Sequence, residues 1–205
     1  MAFAFNRPKG FAFKAGQHVE VVLRDPPETD EKGSSRDFSL VNAPSEKELV
    51  VATRMRNSAF KRVLGTAPAD FKVGIEGPYG SFTLHQDASR PAIFLVGGIG
   101  ITPFMSMIKD AMARKLSHRL FLFYSNRRPE DAAFLSELEE LALKNKNLIF
   151  VPVMTETAKS KQKWEGETNY ITLGMVNRYV PERTNAVYYA AGPPQMVAAM
   201  RKLLG

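Results

Sequence analysis

Gly97, Gly98 and Gly100 fall within four positions, after the apolar run Ala92-Ile93-Phe94-Leu95-Val96 and just before Thr102-Pro103. That order describes a strand, a tight turn and a helix start. Threonine is a favoured N-cap and proline a favoured first helical residue, so a helix is expected from 103 with Thr102 as its cap. The free N–H groups and positive dipole end of such a helix attract phosphate. Glycines let a pyrophosphate come close to the main chain and permit positive φ. A strand-to-helix turn without ligand accounts for the glycines taken alone. The full order Gly-Gly-x-Gly-x-Thr-Pro after an apolar strand points to a dinucleotide. The spacing is not Gly-x-Gly-x-x-Gly, so the ordinary Rossmann fingerprint does not transfer.

A second constellation lies upstream. "SSRDFSLVNAP" places Arg36, Phe38 and Ser39 on one short strand. Side chains alternate along a strand, so Arg36 and Phe38 share a face. A guanidinium clamps phosphate, and an aromatic two residues on covers a flat ring. Taken singly, Arg36 also fits a surface ion pair and Phe38 a core position. "ATRMRNSAFKRVL" then supplies Thr53, Arg54 and Met55 at a strand end and Ser58 as the cap of a short helix, a second start suited to phosphate. A third group, Ser125, Arg127 and Arg128 in "SNRRPEDAAF", follows the second α/β strand, where a nucleotide 2′-phosphate could be read, and Arg suits phosphate. A solvated loop leading to a helix explains the same residues, with Pro129 in the first turn and Glu130 and Asp131 complementing the dipole.

The elements that must hold these residues change character along the chain. Up to about residue 85 they are short and strand-like: "HVEVVL" (18–23), "DFSLV" (37–41), "ELVVATRM" (48–55) and "FKVGIEG" (71–77), with one helical turn at 58–64. Such spacing predicts a small antiparallel barrel or sandwich. Beyond "HQDASRP" (85–91), strands "AIFLV", "RLFLFY", "LIFVPV" and "AVYYA" alternate with helices over 103–115, near 130–144, near 173–179 and from 193. That alternation predicts a parallel sheet with helices on both faces. The expected organisation is therefore two domains, an antiparallel β-barrel over 1–86 and an α/β nucleotide-binding domain over 91–205. The polar stretch 156–168 is expected to be a loop, with Trp164 as its anchor.

Composition removes several classes of function. The 205 residues include no cysteine, which excludes disulfides, a catalytic thiol and a cysteine-ligated cluster. His18, His85 and His118 lack metal-ligand spacing, so no metal site is expected, and His18 reads as structural. The net charge is +7, and most of it sits late: residues 91–205 hold 15 Lys and Arg against 10 Asp and Glu, residues 1–86 hold 12 against 10. A basic second half suits an anionic ligand or an acidic partner. The basic residues are dispersed and not interleaved with aromatics, which argues against nucleic acid. No apolar run is long enough to span a bilayer, and the first residues lack signal-peptide order, so a cytoplasmic protein is expected.

Taken together and in this order, "GFAFKAGQHVEVVL", "RDFS", "ATRMRNSAFKRVL", "GPYGSF", "GGIGITP" and "AGPPQM" resemble the ferredoxin–NADP reductase superfamily over nearly the whole chain. The resemblance implies FAD in the barrel and NADH or NADPH in the α/β domain. It implies that Arg36 contacts flavin phosphate, that Phe38 flanks the isoalloxazine, and that Ser39 hydrogen-bonds near flavin N5 as the catalytic residue. The main chain from Thr53 to Met55 and the start at Ser58 would contact the rest of the flavin. Gly97, Gly98, Gly100, Thr102 and Pro103 would hold the nicotinamide nucleotide's pyrophosphate, and Gly192, Pro193 and Met196 would border the nicotinamide. Hydride would pass from nicotinamide to flavin. Electrons would then go to an acidic ferredoxin-like iron–sulfur protein or a small acceptor.

The sequence departs from that family's pattern in four places. Ala191 stands where Cys is common, and Phe38 replaces the commoner Tyr. A barrel strand usually precedes "FAFNRPKGF", and many members extend past the last helix to an aromatic that covers the flavin. An electron-transfer subunit that needs a partner chain, and a nucleotide-binding module without flavin, are the alternatives these departures leave open.

Overall fold

The computed structural model describes all residues from 1 to 205 except Glu182 and Thr184. The first half contains two antiparallel sheets. β1 (Ala2–Asn6) pairs with β4 (Glu48–Ala52), Ala2 opposite Ala52. β2 (His18–Leu23) is flanked by β3 (Ser35–Ser39) and β5 (Val73–Tyr79). β2 alternates strictly: Val19, Val21 and Leu23 are buried, and the residues between them are half-exposed. With Leu40, Leu49, Val51 and Phe60 they form one apolar core. Phe60 comes from α1 (Ala59–Thr66), whose Ala59, Phe60, Val63 and Leu64 are its buried face.

The expected barrel or sandwich appears as these two sheets, joined among the described residues by one isolated bridge between Leu40 and Val51. The reason lies one residue pair further on. The buried Asn42 side chain takes over the ladder, accepting from Val50 N at 2.8 Å and donating to Glu48 O at 2.6 Å. β1 was not anticipated; it is a half-exposed strand whose Phe3 and Phe5 pack against the core from its edge.

The second half is a five-stranded parallel sheet in the order β10 (Val187–Ala191), β6 (Ala92–Gly97), β7 (Leu120–Asn126), β8 (Leu148–Met154), β9 (Glu167–Thr168). β6 is buried along its whole length, as a parallel strand covered on both faces must be. Phe94 and Val96 face the cluster of α2 (Thr102–Ala113) and α3 (Leu135–Lys144). Ile93 and Leu95 face that of α4 (Leu173–Tyr179) and α5 (Pro194–Leu204). Helices thus cover both faces, as the alternation predicts.

Two boundaries differ from expectation. Pro129–Asp131 form only a 3-10 turn, and Phe134 at φ +61 interrupts the winding before α3 begins at Leu135. The expected loop 156–168 includes a 3-10 turn at Thr157–Lys159 and ends in β9; Trp164 anchors it by donating from Nε1 to Glu167 O at 2.9 Å.

The halves meet along α2. Ala15, Val41 and Ala52 belong to the same apolar cluster as Phe104, Met105 and Met107. Ser106, fully buried in α2, donates from Oγ to Asn42 O at 2.7 Å.

Candidate functional site

The strand order of the parallel sheet reverses between β6 and its neighbours β7 and β10, so the crevice past their carboxyl ends is where an open α/β sheet takes a ligand. Val96 lies opposite Ala191 there, which brings the turn after β6 against the turn after β10. The glycines are explained first by that contact. A Cβ on Gly100 would stand 2.7 Å from the carbonyl of Ala191 and from Gly192 N. A Cβ on Gly192 would stand 3.0 Å from the Gly97 main chain, and one on Gly97 would meet Met196 Sδ at 2.5 Å and Pro193 Cδ at 2.9 Å. Gly97, Gly100, Gly192, Pro193 and Met196 are thus brought together, and main-chain and side-chain neighbours fill the space that Cβ atoms would need.

Gly98 is different. It has φ +54, and the neighbour nearest its missing Cβ is the exposed Arg54 side chain, Nη2 at 3.0 Å. Arg54 reaches across from the end of β4, and the same Nη2 lies 3.4 Å from Asp131 O. A guanidinium therefore already sits over the glycine turn.

Thr102 is not the N-cap of α2. A 3-10 turn over Gly98–Ile101 runs straight into the helix, Ile101 occupies the cap position, and Thr102 Oγ1 donates back to Ile99 O at 3.2 Å. Winding thus begins at Gly98, and Pro103 is the second helical residue. The free amides lie closer to the glycines than expected.

A cleft of about 310 Å³ opens beside this turn, lined by Arg36, Phe38 and Ser39 of β3, Thr53, Lys61 of α1, and Thr102. Residues from both antiparallel sheets, α1 and α2 converge on it. Phe38 is buried and its ring packs on Phe60 with centroids 5.8 Å apart, so it is a core residue that also lines the cleft. Ser39, half-buried, ends β3 opposite His18. Thr53 is buried, and its N–H and C=O both pair with Met1.

Arg36 has partners of its own. Nη2 donates to Asp30 Oδ1 at 2.9 Å, and Nη1 donates to the carbonyls of Lys32, Gly33 and Ser35. Asp30 Oδ2 in turn accepts from Ala59 N, the first amide of α1, at 3.0 Å. A carboxylate thus holds both the guanidinium and the helix start. Ser58 caps α1, accepting from Lys61 N at 3.4 Å, and Met55 lies over Gly65 outside the cleft.

Ser125 lies near the carboxyl end of β7, paired with Gly97 in register, and Arg127 and Arg128 follow the strand. They are not equivalent. Arg128 forks onto Asp131, with contacts of 2.8 and 3.0 Å. Arg127 is 74% exposed and lies 3.6 Å from Glu156.

Several residues escaped the sequence reading. Lys61 lines the cleft, and a cation at the third position of a helix with no acid in its first turn is a detectable anomaly. Nothing singles Asp30 out within "DPPETDEK". The buried Asn126 has both side-chain polar atoms unpartnered among the described residues. His85 and His118, read as scattered, are neighbours with rings 5.0 Å apart, and the Tyr189 hydroxyl lies 2.9 Å from His85 Nδ1. Burial pushes the His118 ring below the usual histidine pKa and raises that of Tyr189. Burial likewise pushes the Tyr124 phenol up to about 12.

The family model for an oxidoreductase NAD-binding domain matches residues 94–202. The chain belongs to the ferredoxin–NADP reductase superfamily. It is 30% identical over 202 residues to the reductase component of propane 2-monooxygenase from Mycolicibacterium smegmatis, covering 94% of this chain and 55% of that protein. It is 28% identical over 190 residues to ferredoxin–NADP reductase B of Sorangium cellulosum, covering 91% and 72%. Among solved structures, the Amycolatopsis cytochrome P450 reductase GcoB superposes with a TM-score of 0.79 at 26% identity, covering 98% of this chain and 60% of that one. The chain spans about half the length of the first curated relatives it matches. No helix among the described residues is long and apolar enough to cross a membrane.

Proposed function

We propose that this chain is the flavin- and nicotinamide-binding portion of an NAD(P)H-dependent oxidoreductase that hands electrons to a separate acceptor. The convergence of Arg36, Phe38, Ser39 and Lys61 on one cleft beside the Gly97–Thr102 turn is the observation that carries this reading. Residues 1–86 form the FAD-binding unit and residues 91–205 the nucleotide-binding unit. A donor set of guanidinium, ammonium and hydroxyls around an aromatic floor fits a phosphorylated flat ring, so the residues present suit FAD. Bound there, FAD would supply chemistry that takes a hydride's two electrons together and gives them up singly.

The chain's own residues position and exclude. Phe38 presents an apolar surface that keeps water from one side of the cleft. Ser39, whose hydroxyl has no hydrogen bond among the described residues, is the donor available at the hydride-accepting locus. Arg54 and the first amides after Gly98 hold the nicotinamide nucleotide's pyrophosphate. Arg127 reads a 2′-phosphate, which makes NADPH the favoured donor. Ala191, lacking a thiol, leaves nicotinamide placement to the Gly192-Pro193 turn and Met196.

The acceptor is an acidic iron–sulfur protein or an oxygenase component, in keeping with the basic second half and with the reductase components among the relatives. The deciding experiment is anaerobic addition of NADPH, and separately NADH, to the FAD-saturated protein. Loss of the flavin's visible absorbance without any partner supports the reading. A protein that binds FAD but is bleached only after a partner chain is added is an electron-transfer subunit. One that takes up no FAD ends the proposal.

A further inference from the structure

Lys61 is placed against the usual preference of its helix. It is the third residue of α1, where the helix dipole is positive and acids are favoured, and the first turn contains no acid. The next residue, Arg62, is answered by Glu28, with Nε 2.9 Å from Oε1. Lys61 is not answered in this way. Among the described residues no carboxylate lies within ion-pair distance of its ammonium, which donates instead to the main-chain Arg54 O at 2.7 Å. An ammonium has three donors, so two remain.

The side chain is half-buried and lines the cleft, where Asp37 is the one carboxylate, exposed on β3. Burial and the positive charges of Arg56 and Arg36 all act against its charged form. Arg36, the other cation of the cleft, is already turned to Asp30 and three main-chain carbonyls. A local rule broken at a cavity, without a compensating partner, marks function rather than stability.

We propose that Lys61 is a phosphate-binding residue of the cleft and sets its preference for phosphorylated over unphosphorylated flavin. The inference rests on the cleft being the flavin site. The ammonium supplies charge-assisted hydrogen bonds to a phosphate oxygen, which relieves its conflict with the α1 dipole.

The test compares Lys61→Met and Lys61→Arg with the unaltered protein for binding of FAD, FMN, riboflavin and NADP⁺. Flavin fluorescence reads the first three and calorimetry the last. Lys61→Met should weaken FAD and FMN about 10- to 100-fold, the range of one charge-assisted contact, and leave riboflavin within about twofold. Lys61→Arg should retain most of the FAD affinity. The salt dependence of FAD binding should flatten in Lys61→Met. Unchanged FAD affinity, an equal loss on riboflavin, or a loss confined to NADP⁺ would each overturn the assignment. Thermal melts identify a variant that does not fold, and Lys61→Gln then takes its place. If the unaltered protein binds neither FAD nor riboflavin, the proposed function itself fails and this inference with it; if it binds both equally, only the inference fails.

Discussion

Replacing Gly100 with alanine separates two reasons for the glycine turn. The new Cβ would stand 2.7 Å from the carbonyl carbon and oxygen of Ala191 and from Gly192 N, where ordinary contact begins at 3.4 Å. All three are main-chain atoms at the carboxyl end of β10, so no side chain can swing aside. One or both turns must move. Overpacking of this kind costs about 1–3 kcal/mol. For a protein of this size each kcal/mol lowers the melting temperature by about 2–4 °C, so a loss of roughly 2–12 °C is expected.

Circular dichroism melts would measure that loss, with Gly10→Ala as the control. Gly10, unlike Gly100, has positive φ, and nothing lies within 4 Å of its missing Cβ, so that variant carries backbone strain without crowding, whereas Gly100→Ala carries crowding without that strain. Nucleotide binding of Gly100→Ala should weaken only in step with the lost stability. An unchanged melting temperature combined with abolished nucleotide binding would refute the packing explanation. Gly100 would then be kept for the ligand.

Other consequences are open to direct measurement. Arg127→Ala should shift the NADPH/NADH preference toward NADH by about tenfold, the range of one charge-assisted contact, whereas Arg128→Ala should leave the ratio nearly unchanged because Asp131 already occupies its fork. Steady-state kinetics with both nucleotides would decide it. His118, held below its ordinary value of 6.5 mainly by burial, stays neutral in the native state to a lower pH than it does in the unfolded chain. Its contribution to stability is present in full above about pH 6.5 and is lost as pH falls toward the lowered native value, with a slope of at most about 1.4 kcal/mol per unit. Denaturant titrations of the protein and of His118→Gln across that window should differ in slope. Gly174 lies inside α4 with only Thr172 Oγ1 near its missing Cβ, at 3.8 Å, so Gly174→Ala should stabilise by about 0.5–1 kcal/mol, read as a higher denaturant midpoint.

The parts of the fold that show a strong period were legible in the sequence. "HVEVVL" alternates and is β2; "AIFLV" is uniformly apolar and is the buried β6. Ser58 caps α1 as its type demands. What escaped was set by partners distant in the chain. β1 runs Ala-Phe-Ala-Phe, with no polar residues between the apolar ones to mark its alternation, and only pairing with β4 makes it a strand. Thr102 has the composition of a cap, yet the 3-10 turn upstream takes the role because Gly98 at positive φ starts the winding early.

The candidate site shows the same division. Arg36, Phe38 and Ser39 could be read from their types and spacing, since one strand carries all three. Asp30 could not, because its meaning depends on a guanidinium six residues on and a helix amide 29 residues on. The glycines invited a ligand explanation, and the structure adds a second one that no local pattern encodes: the approach of a turn from the far end of the chain.

That approach constrains how the protein can vary. Residues 97–100 and 191–196 lie nearly a hundred positions apart, yet each turn is shaped by the other's main chain. A chimera that imports the first turn from a relative while keeping the native second turn inherits a mismatch of atoms rather than of charges. Successful exchange therefore requires moving both segments as a pair, and any drift in one during divergence is viable only if the other gives way at the same time.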